Sequence, residues 1–265
     1  MGKSIGVISL KGGVGKTSVV VSLGSAIAEF NKKVLLVDGN LSAPNLGMHF
    51  KILDPEKSLH HVLDREIHAK EAVYSLGNLD ILPASIFTIK QVNPLKLKDR
   101  IDYLKKKYDY IIYDSSPSLN DETLGVILAS DILFVVTTPD HPTLSTTLKA
   151  IKFAKERGMP IEGLIINKVY NKKFEISLEE IEEAVELPVM AVIPHDINIL
   201  EALSEFVPSI EHSPKSKASE EYRKLAAALV GEKYKPSKLK NFFKWINPQK
   251  QDVNRLVLYQ GVFRD

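Results

Sequence analysis

Leu10-Lys11-Gly12-Gly13-Val14-Gly15-Lys16-Thr17-Ser18 is the stretch whose residue types and spacing can do chemistry. An apolar, strand-like run, Ile5-Gly6-Val7-Ile8-Ser9, precedes it, and a run of helical character, Ser18 to Phe30, follows. Strand, glycine loop and helix in that order is the setting in which such a loop holds phosphate. Gly12, Gly13 and Gly15 let the backbone bend so that successive N–H groups point inward, and the start of the helix adds its positive dipole end. Gly12, Gly13, Val14, Gly15, Lys16, Thr17 and Ser18 are thus the expected nucleotide contacts. Lys16 is placed to neutralise the β and γ phosphates, and the Thr17 hydroxyl to ligate Mg²⁺. A glycine turn that binds nothing is the bland alternative, and the strand and helix on either side argue against it.

Two acidic residues fit the same chemistry. Tyr110-Ile111-Ile112-Tyr113-Asp114 is a Walker B form, whose Asp114 can hold Mg²⁺ through a water, and Val37-Asp38-Gly39-Asn40 ends a second apolar run. A single Asp at the end of a strand is usually a loop cap. Two of them beside a phosphate loop suggest a metal site of Thr17, Asp38 and Asp114. Base identity follows from Asn167-Lys168-Val169-Tyr170. Guanine selection needs a final carboxylate that accepts two N–H donors, and the Tyr170 phenol cannot accept both, so ATP is expected rather than GTP.

These residues need a scaffold that gathers them. Strands are expected at Ile5–Leu10, Val34–Asp38, Leu79–Leu82, Tyr110–Asp114, Ile132–Thr137, Gly163–Asn167 and Val189–Ile193. Helices between them include Leu95–Lys107, Thr143–Arg157, Leu178–Val185 and Lys215–Val230. Strands such as Val34-Leu35-Leu36-Val37 are apolar without alternation, as strands buried on both faces of a parallel sheet are. Alternating strands and helices imply an α/β fold, doubly wound and mostly parallel, with ligand residues just past the carboxyl ends of the strands.

The chain has 265 residues, 44% of them hydrophobic, which is enough for a sizeable core. It contains no cysteine, which excludes disulfides, thiolate metal sites and Fe–S ligation. No signal peptide and no membrane-spanning apolar run are visible, so a cytoplasmic location is expected. From Gly231 onward there are eight basic residues against three acidic, a net +5; the whole chain carries +2, so the preceding body carries −3. A net acidic body does not suggest a nucleic-acid surface, although one basic face remains compatible with it. The composition shift divides the chain into a body over 1–230, a linker over 231–237, a basic segment over 238–246 and an extension over 247–265. Within the extension, Val253 to Tyr259 is apolar enough for a strand or a partner-binding segment. Residues 238–246 have helical spacing: Leu239, Phe242, Phe243 and Ile246 form one apolar face, Trp245 flanks it, and lysines lie opposite. Burying the four apolar side chains in a membrane interface is worth roughly 6–12 kcal/mol at most, and each lysine near anionic lipid adds about 1 kcal/mol. A helix packed back on the body is the competing reading.

The loop Lys11-Gly12-Gly13-Val14-Gly15-Lys16-Thr17 resembles the deviant phosphate loop of the MinD/ParA family of ATPases, with Leu10 in the first glycine position and an extra lysine, Lys11. The resemblance extends over most of residues 1–230. Ser115-Ser116-Pro117 resembles the family's second switch, and Leu41 to Leu46 the stretch after its first switch, a region of ATP-dependent dimer contacts. Ala129-Ser130-Asp131 with Thr138-Pro139-Asp140 and Ser145 resembles the next βα unit. Asn167-Lys168 and Pro194-His195-Asp196 match its base-contacting loops, so Asn167, Pro194 and Asp196 are implied base contacts. Ser213-Pro214, Ser219, Tyr222 and Leu225 are similar to its last helix. The resemblance implies an ATP-dependent homodimer in which Lys11 reaches the partner's nucleotide. One departure stands in the first switch, where Asn40 replaces the family's water-positioning Asp. An amide is a much weaker proton acceptor, so hydrolysis is expected to be slow unless Asp38 compensates.

The basic segment resembles the membrane-targeting helix of the MinD-like branch, although bacterial members end at that helix. The implied function is an ATPase switch: ATP closes a dimer, the dimer binds the inner face of the cell membrane, and hydrolysis, stimulated by a partner protein, releases it. Such a cycle positions a cellular structure. The alternatives are a ParA-type partition ATPase that binds DNA through basic residues of its body, and a metabolic ATP-dependent ligase on the same fold.

Overall fold

The computed structural model describes residues 1–88, 90–234 and 249–262. In chain order the strands are β1 (Lys3–Ile8), β2 (Val34–Asp38), β3 (Tyr74–Ser75), β4 (Leu79–Leu82), β5 (Tyr110–Asp114), β6 (Ile132–Thr137), β7 (Ile161–Val169) and β8 (Val189–Pro194). The helices are α1 (Lys16–Ala28), α2 (Leu59–Leu63), α3 (Leu97–Ile101), α4 (Asp121–Ala129), α5 (His141–Lys155), α6 (Leu178–Val185), α7 (Asn198–Ser204), α8 (Ser209–His212), α9 (Lys217–Val230) and α10 (Lys250–Val262). The strands form one sheet in the order β3-β4-β2-β5-β1-β6-β7-β8. Every pairing is parallel except β3 with β4.

The pleat divides each strand between two cores. Leu35 and Val37 of β2, with Leu133 and Val135 of β6, face the layer that holds α3, α4 and α5. Val34 and Leu36, with Phe134 and Val136, face α1 and α9, where Val20, Leu23, Tyr222 and Leu225 are buried. Period-2 alternation is present, but apolar residues fill both phases, as a sheet covered on both sides requires. The fold is the expected mostly parallel α/β sheet flanked by helices.

Some boundaries differ from the sequence reading. Strand β1 stops at Ile8, and α1 starts at Lys16 rather than Ser18, because the phosphate-loop lysine already belongs to the first helical turn. The expected helix Leu95–Lys107 is broken into a 3₁₀ turn at Pro94–Lys96, α3, and a second 3₁₀ turn at Asp102–Lys106. The short antiparallel β3 was not expected.

Val253–Tyr259 is helical, lying within α10, and α10 packs on α9 and β8. Its inward side is mostly polar, with Leu258 packed against the core. Arg255 is 5% exposed and donates from Nη1 to Met190 O at 2.9 Å and to Glu221 Oε1 at 2.8 Å, while Nη2 meets Asp252 Oδ1 at 2.5 Å. Asn254 donates to Glu182 Oε1 and Val189 O. Val253, Leu256 and Val257 face outward, so hydrophobic patterning does not mark the buried side. The packed body therefore includes part of the extension and does not end at Val230. The segment bearing Leu239, Phe242, Phe243, Trp245 and Ile246 lies outside the described residues. Among the described residues no helix is long and apolar enough to cross a membrane.

Candidate functional site

The loop after β1 turns on two glycines in the left-handed region, Gly13 (φ +79) and Gly15 (φ +90). A side chain at Gly15 would also collide with the Asn167 amide, 2.4 Å from where its Cβ would stand. Both positions therefore require glycine. Helix α1 follows at once, with no side-chain cap and no acidic residue in its first turn. Its first N–H groups are left for an anion.

The end of β7 braces this loop from the far side of the sequence. Asn167 Nδ2 donates to Val14 O at 2.8 Å, and Lys168 Nζ donates to Gly13 O at 2.7 Å. Asn167 was expected at the base; in this structure its amide nitrogen serves the loop. Pro194 ends β8, where His195 N donates to Val169 O, and Asp196 Oδ1 accepts from Asn198 N and Nδ2. The Tyr170 and His195 rings stack at 4.4 Å. The loops after β7 and β8 thus lie side by side next to the phosphate loop.

Lys16, Thr17, Asp38 and Asp114 come together. Asp38 and Asp114 are opposite one another in the β2–β5 register, and both are fully buried. Burial pushes the Asp114 carboxyl up to about 6, against the pull of Lys16 and a hydrogen bond from Thr17. Burial and the neighbouring Asp114 charge push Asp38 well above the usual carboxylate range. Burial lowers the Lys16 ammonium, and Asp114 opposes the change. Thr17 Oγ1 lies 2.5 Å from Asp114 Oδ2 and 2.8 Å from Asn45 Oδ1.

Asp114 Oδ1 is buried with no hydrogen-bond partner among the described residues. Two buried carboxyls side by side, an orphaned oxygen and a hydroxyl make a hard oxygen site that Lys16 only partly offsets in charge, which suits Mg²⁺. Thr17 and Asp114 would hold the ion, which supplies the charge that neutralises a phosphate chain. Asp38 is further committed: Oδ2 accepts from Asn45 N at 3.1 Å and Leu46 N at 3.0 Å, and Oδ1 from Asn40 N at 3.2 Å. It organises the loop 40–46 as well as facing Asp114. Those amides engage both Asp38 oxygens.

Asn40 is 6% exposed; its Nδ2 donates to Ala43 O at 2.5 Å, and its Oδ1 has no partner among the described residues. That oxygen is the group that can orient a water. Ser18, one residue past Thr17 on α1, is half-buried. Lys11 Nζ lies 3.3 Å from Asp140 Oδ1 and 2.6 Å from Thr143 Oγ1, at the start of α5. Although burial pushes the Asp140 carboxyl up, hydrogen bonds from Thr138, Thr143 and Lys11 hold it at about 2. Lys11, Asp140 and Lys168 line a cleft of about 270 Å³ beside the loop, with Tyr170 and Phe174 on its wall.

The sequence reading had not assigned roles to Asn45, Lys168, Asp140, Thr143 or Glu122. Glu122 Oε1 accepts from Ser42 N at 2.9 Å and from the Ser42 hydroxyl, tying the loop after β2 to α4. Asn45, Lys168 and Asp140 lie in stretches that carried the family resemblance; Thr143 and Glu122 carried no signal.

A family model described as an AAA domain matches residues 2–158. An uncharacterized ATP-binding protein of Methanocaldococcus jannaschii is 33% identical over 230 residues, covering 86% of this chain and 88% of that protein. The septum site-determining protein MinD of Thermotoga maritima is 30% identical over 246 residues, covering 88% and 89%. The structure of MinD from Pyrococcus horikoshii, complexed with Mg-ADP, superposes with a TM-score of 0.80 at 32% identity, covering 91% of this chain and 98% of that one. The phosphate loop with its second lysine, the paired acids beneath it and these relatives agree: the chain belongs to the MinD/ParA family of ATP-binding P-loop ATPases.

Proposed function

We propose that this ATPase is a MinD-like switch. ATP and Mg²⁺ close a homodimer, the dimer holds an anionic membrane on the cytoplasmic side through the 238–246 segment, and hydrolysis resets the cycle during positioning of a cellular structure. The observation that carries the reading is Lys11. It stands at the mouth of the phosphate loop in a half-exposed ion pair with Asp140. Such a pair is worth little, so a phosphate charge presented by a second protomer takes the lysine at small cost. In a desolvated interface the ammonium acts as an arginine finger does. Asn40 in place of a carboxylate sets a slow basal rate, leaving acceleration to a stimulating partner protein. The MinD-like reading is preferred over DNA partition because the basic residues concentrate in a tail with an apolar face.

The test is light scattering with ATP and with ADP. The parent doubles its mass with ATP alone. Lys11→Ala binds ATP as the parent does, stays monomeric, and hydrolyses about 10³-fold more slowly. A variant that dimerises or turns over at the parent rate removes Lys11 from the mechanism and the switch with it.

A further inference from the structure

The loop after β2 and the segment after β5 are joined at two points. Gly39 N donates to Asp114 O at 2.8 Å, and a Cβ at Gly39 would stand 2.7 Å from that oxygen, so the two strand ends leave the sheet in direct contact. Further along, Ser42 donates to Glu122 Oε1 from its backbone N at 2.9 Å and from its hydroxyl. Glu122 stands in the first turn of α4, and that turn is tied to the segment before it. Thr123 Oγ1 donates to Ser116 O at 3.0 Å and to Ser118 O at 2.7 Å. The chain therefore closes a ring that runs from Asp38 through Ser42 and Glu122 back to Asp114.

Glu122 is 8% exposed, and its Oε2 is buried with no partner among the described residues. A buried carboxylate held without a cation costs stability, and the hydrogen bonds it accepts among the described residues come from Ser42. The next residue, Ala43, accepts from Asn40 Nδ2 at 2.5 Å through its carbonyl. A side-chain amide has one donating end and one accepting end. With Nδ2 committed to Ala43 O, the end left over is Oδ1, which is buried without a partner among the described residues. If the loop let Ala43 go, the amide could turn over and present N–H groups, which donate to a water and cannot accept its proton.

We propose that Glu122 is a positioning residue for hydrolysis: by pinning Ser42 it holds the Ala43 carbonyl against Asn40 Nδ2, and so keeps Asn40 Oδ1 turned to the attacking water. The inference rests on the reading of Asn40 as the water-orienting group and adds what sets its orientation. A carboxylate at position 40 would have two equivalent oxygens and need no such hold; an amide does. Nucleotide binding stands apart from this contact. The phosphate loop is braced by Asn167 and Lys168, and the far end of the switch loop, Asn45 and Leu46, is held by Asp38.

The test is steady-state ATP turnover of the full chain, with KM and the affinity for a fluorescent ATP analogue measured alongside. Glu122→Ala should lower kcat about tenfold and leave KM and affinity unchanged. Glu122→Gln keeps an accepting oxygen for Ser42 and should restore kcat to within about twofold of the parent. Ser42→Ala, a change at an exposed residue that leaves the fold intact, removes one of the two donors and should lower kcat about threefold. In an Asn40→Ala background neither Glu122→Ala nor Ser42→Ala should slow turnover further, because both act through Asn40. Parent-rate turnover by Glu122→Ala or Ser42→Ala overturns the proposal, as does an equal slowing by either with and without Asn40. A Glu122→Gln chain as slow as Glu122→Ala overturns it too, since the charge and not the hold on Ser42 would then matter. In all these cases the reading of Asn40 survives if Asn40→Ala alone is slow. Parent-rate turnover by Asn40→Ala removes that reading and this one together.

Discussion

Asp114 should cost the nucleotide-free protein stability, and that cost can be measured. Its carboxyl is buried beside Asp38 and titrates at about 6 against an ordinary 3.8. A tenfold change in proton affinity is worth about 1.4 kcal/mol, so ionising this group in the fold costs on the order of 3 kcal/mol. The folded carboxyl holds its proton more tightly than the unfolded one. Stability is therefore undiminished below pH 3.8, falls as the pH rises to about 6, and stays at the lower level above. Asp114→Asn removes the charge and keeps an oxygen for the Thr17 hydroxyl. It also deprives Lys16 of the carboxylate that offsets its own burial, which returns part of the gain.

The net expectation is a variant about 1–2 kcal/mol more stable than the parent at pH 7.5 without nucleotide, and no more stable at pH 4. With Mg-ATP the order reverses. At a hundredfold excess over its dissociation constant a ligand adds about 2.7 kcal/mol to the parent, and the variant forgoes most of it. Urea denaturation at both pH values, with and without Mg-ATP, reads all of this. A variant less stable than the parent at pH 7.5 without nucleotide would refute the reasoning, because the buried charge would then be supporting the fold.

Asn40→Asp should raise ATP turnover several-fold by restoring a proton acceptor. It should also lower nucleotide-free stability by about 1–3 kcal/mol, because the Ala43 carbonyl loses its donor; a steady-state assay and a melt check both, and an unchanged or lower rate would mean that another group positions the water. Arg255→Met should destabilise by about 2–3 kcal/mol, since buried Glu221 loses one of its two cations, keeping Lys224 at 3.0 Å, and Met190 O and Asp252 lose a donor. Arg255→Met with Glu221→Leu should recover most of that loss in the same denaturation assay, and no recovery would mean that Arg255 acts through its other partners.

The strands were legible in the sequence because a sheet covered on both faces must be apolar in both phases. The glycine loop was legible because its spacing is local. What escaped was non-local or inverted. Lys168 braces Gly13 across 155 positions, and Lys11 finds Asp140 and Thr143 across 129 and 132. No periodicity announces such contacts. Helix α10 escaped because its buried side is built mainly from Arg255, Gln251 and Asn254, with Leu258 an apolar residue packed on the core, while Val253, Leu256 and Val257 face out. The break between α3 and its flanking 3₁₀ turns is equally silent, since the apolar spacing suits one continuous helix.

Co-sedimentation with anionic vesicles, with ATP and with ADP, tests the switch most directly. One tail should bind weakly and two joined by an ATP dimer should bind well, through effective concentration alone. The account predicts that the parent pellets with ATP at low salt, stays largely soluble with ADP, and ignores duplex DNA. Phe242→Glu with Phe243→Glu should abolish pelleting and leave hydrolysis nearly intact. A parent that remains in the supernatant with ATP and anionic vesicles at low salt would contradict the account.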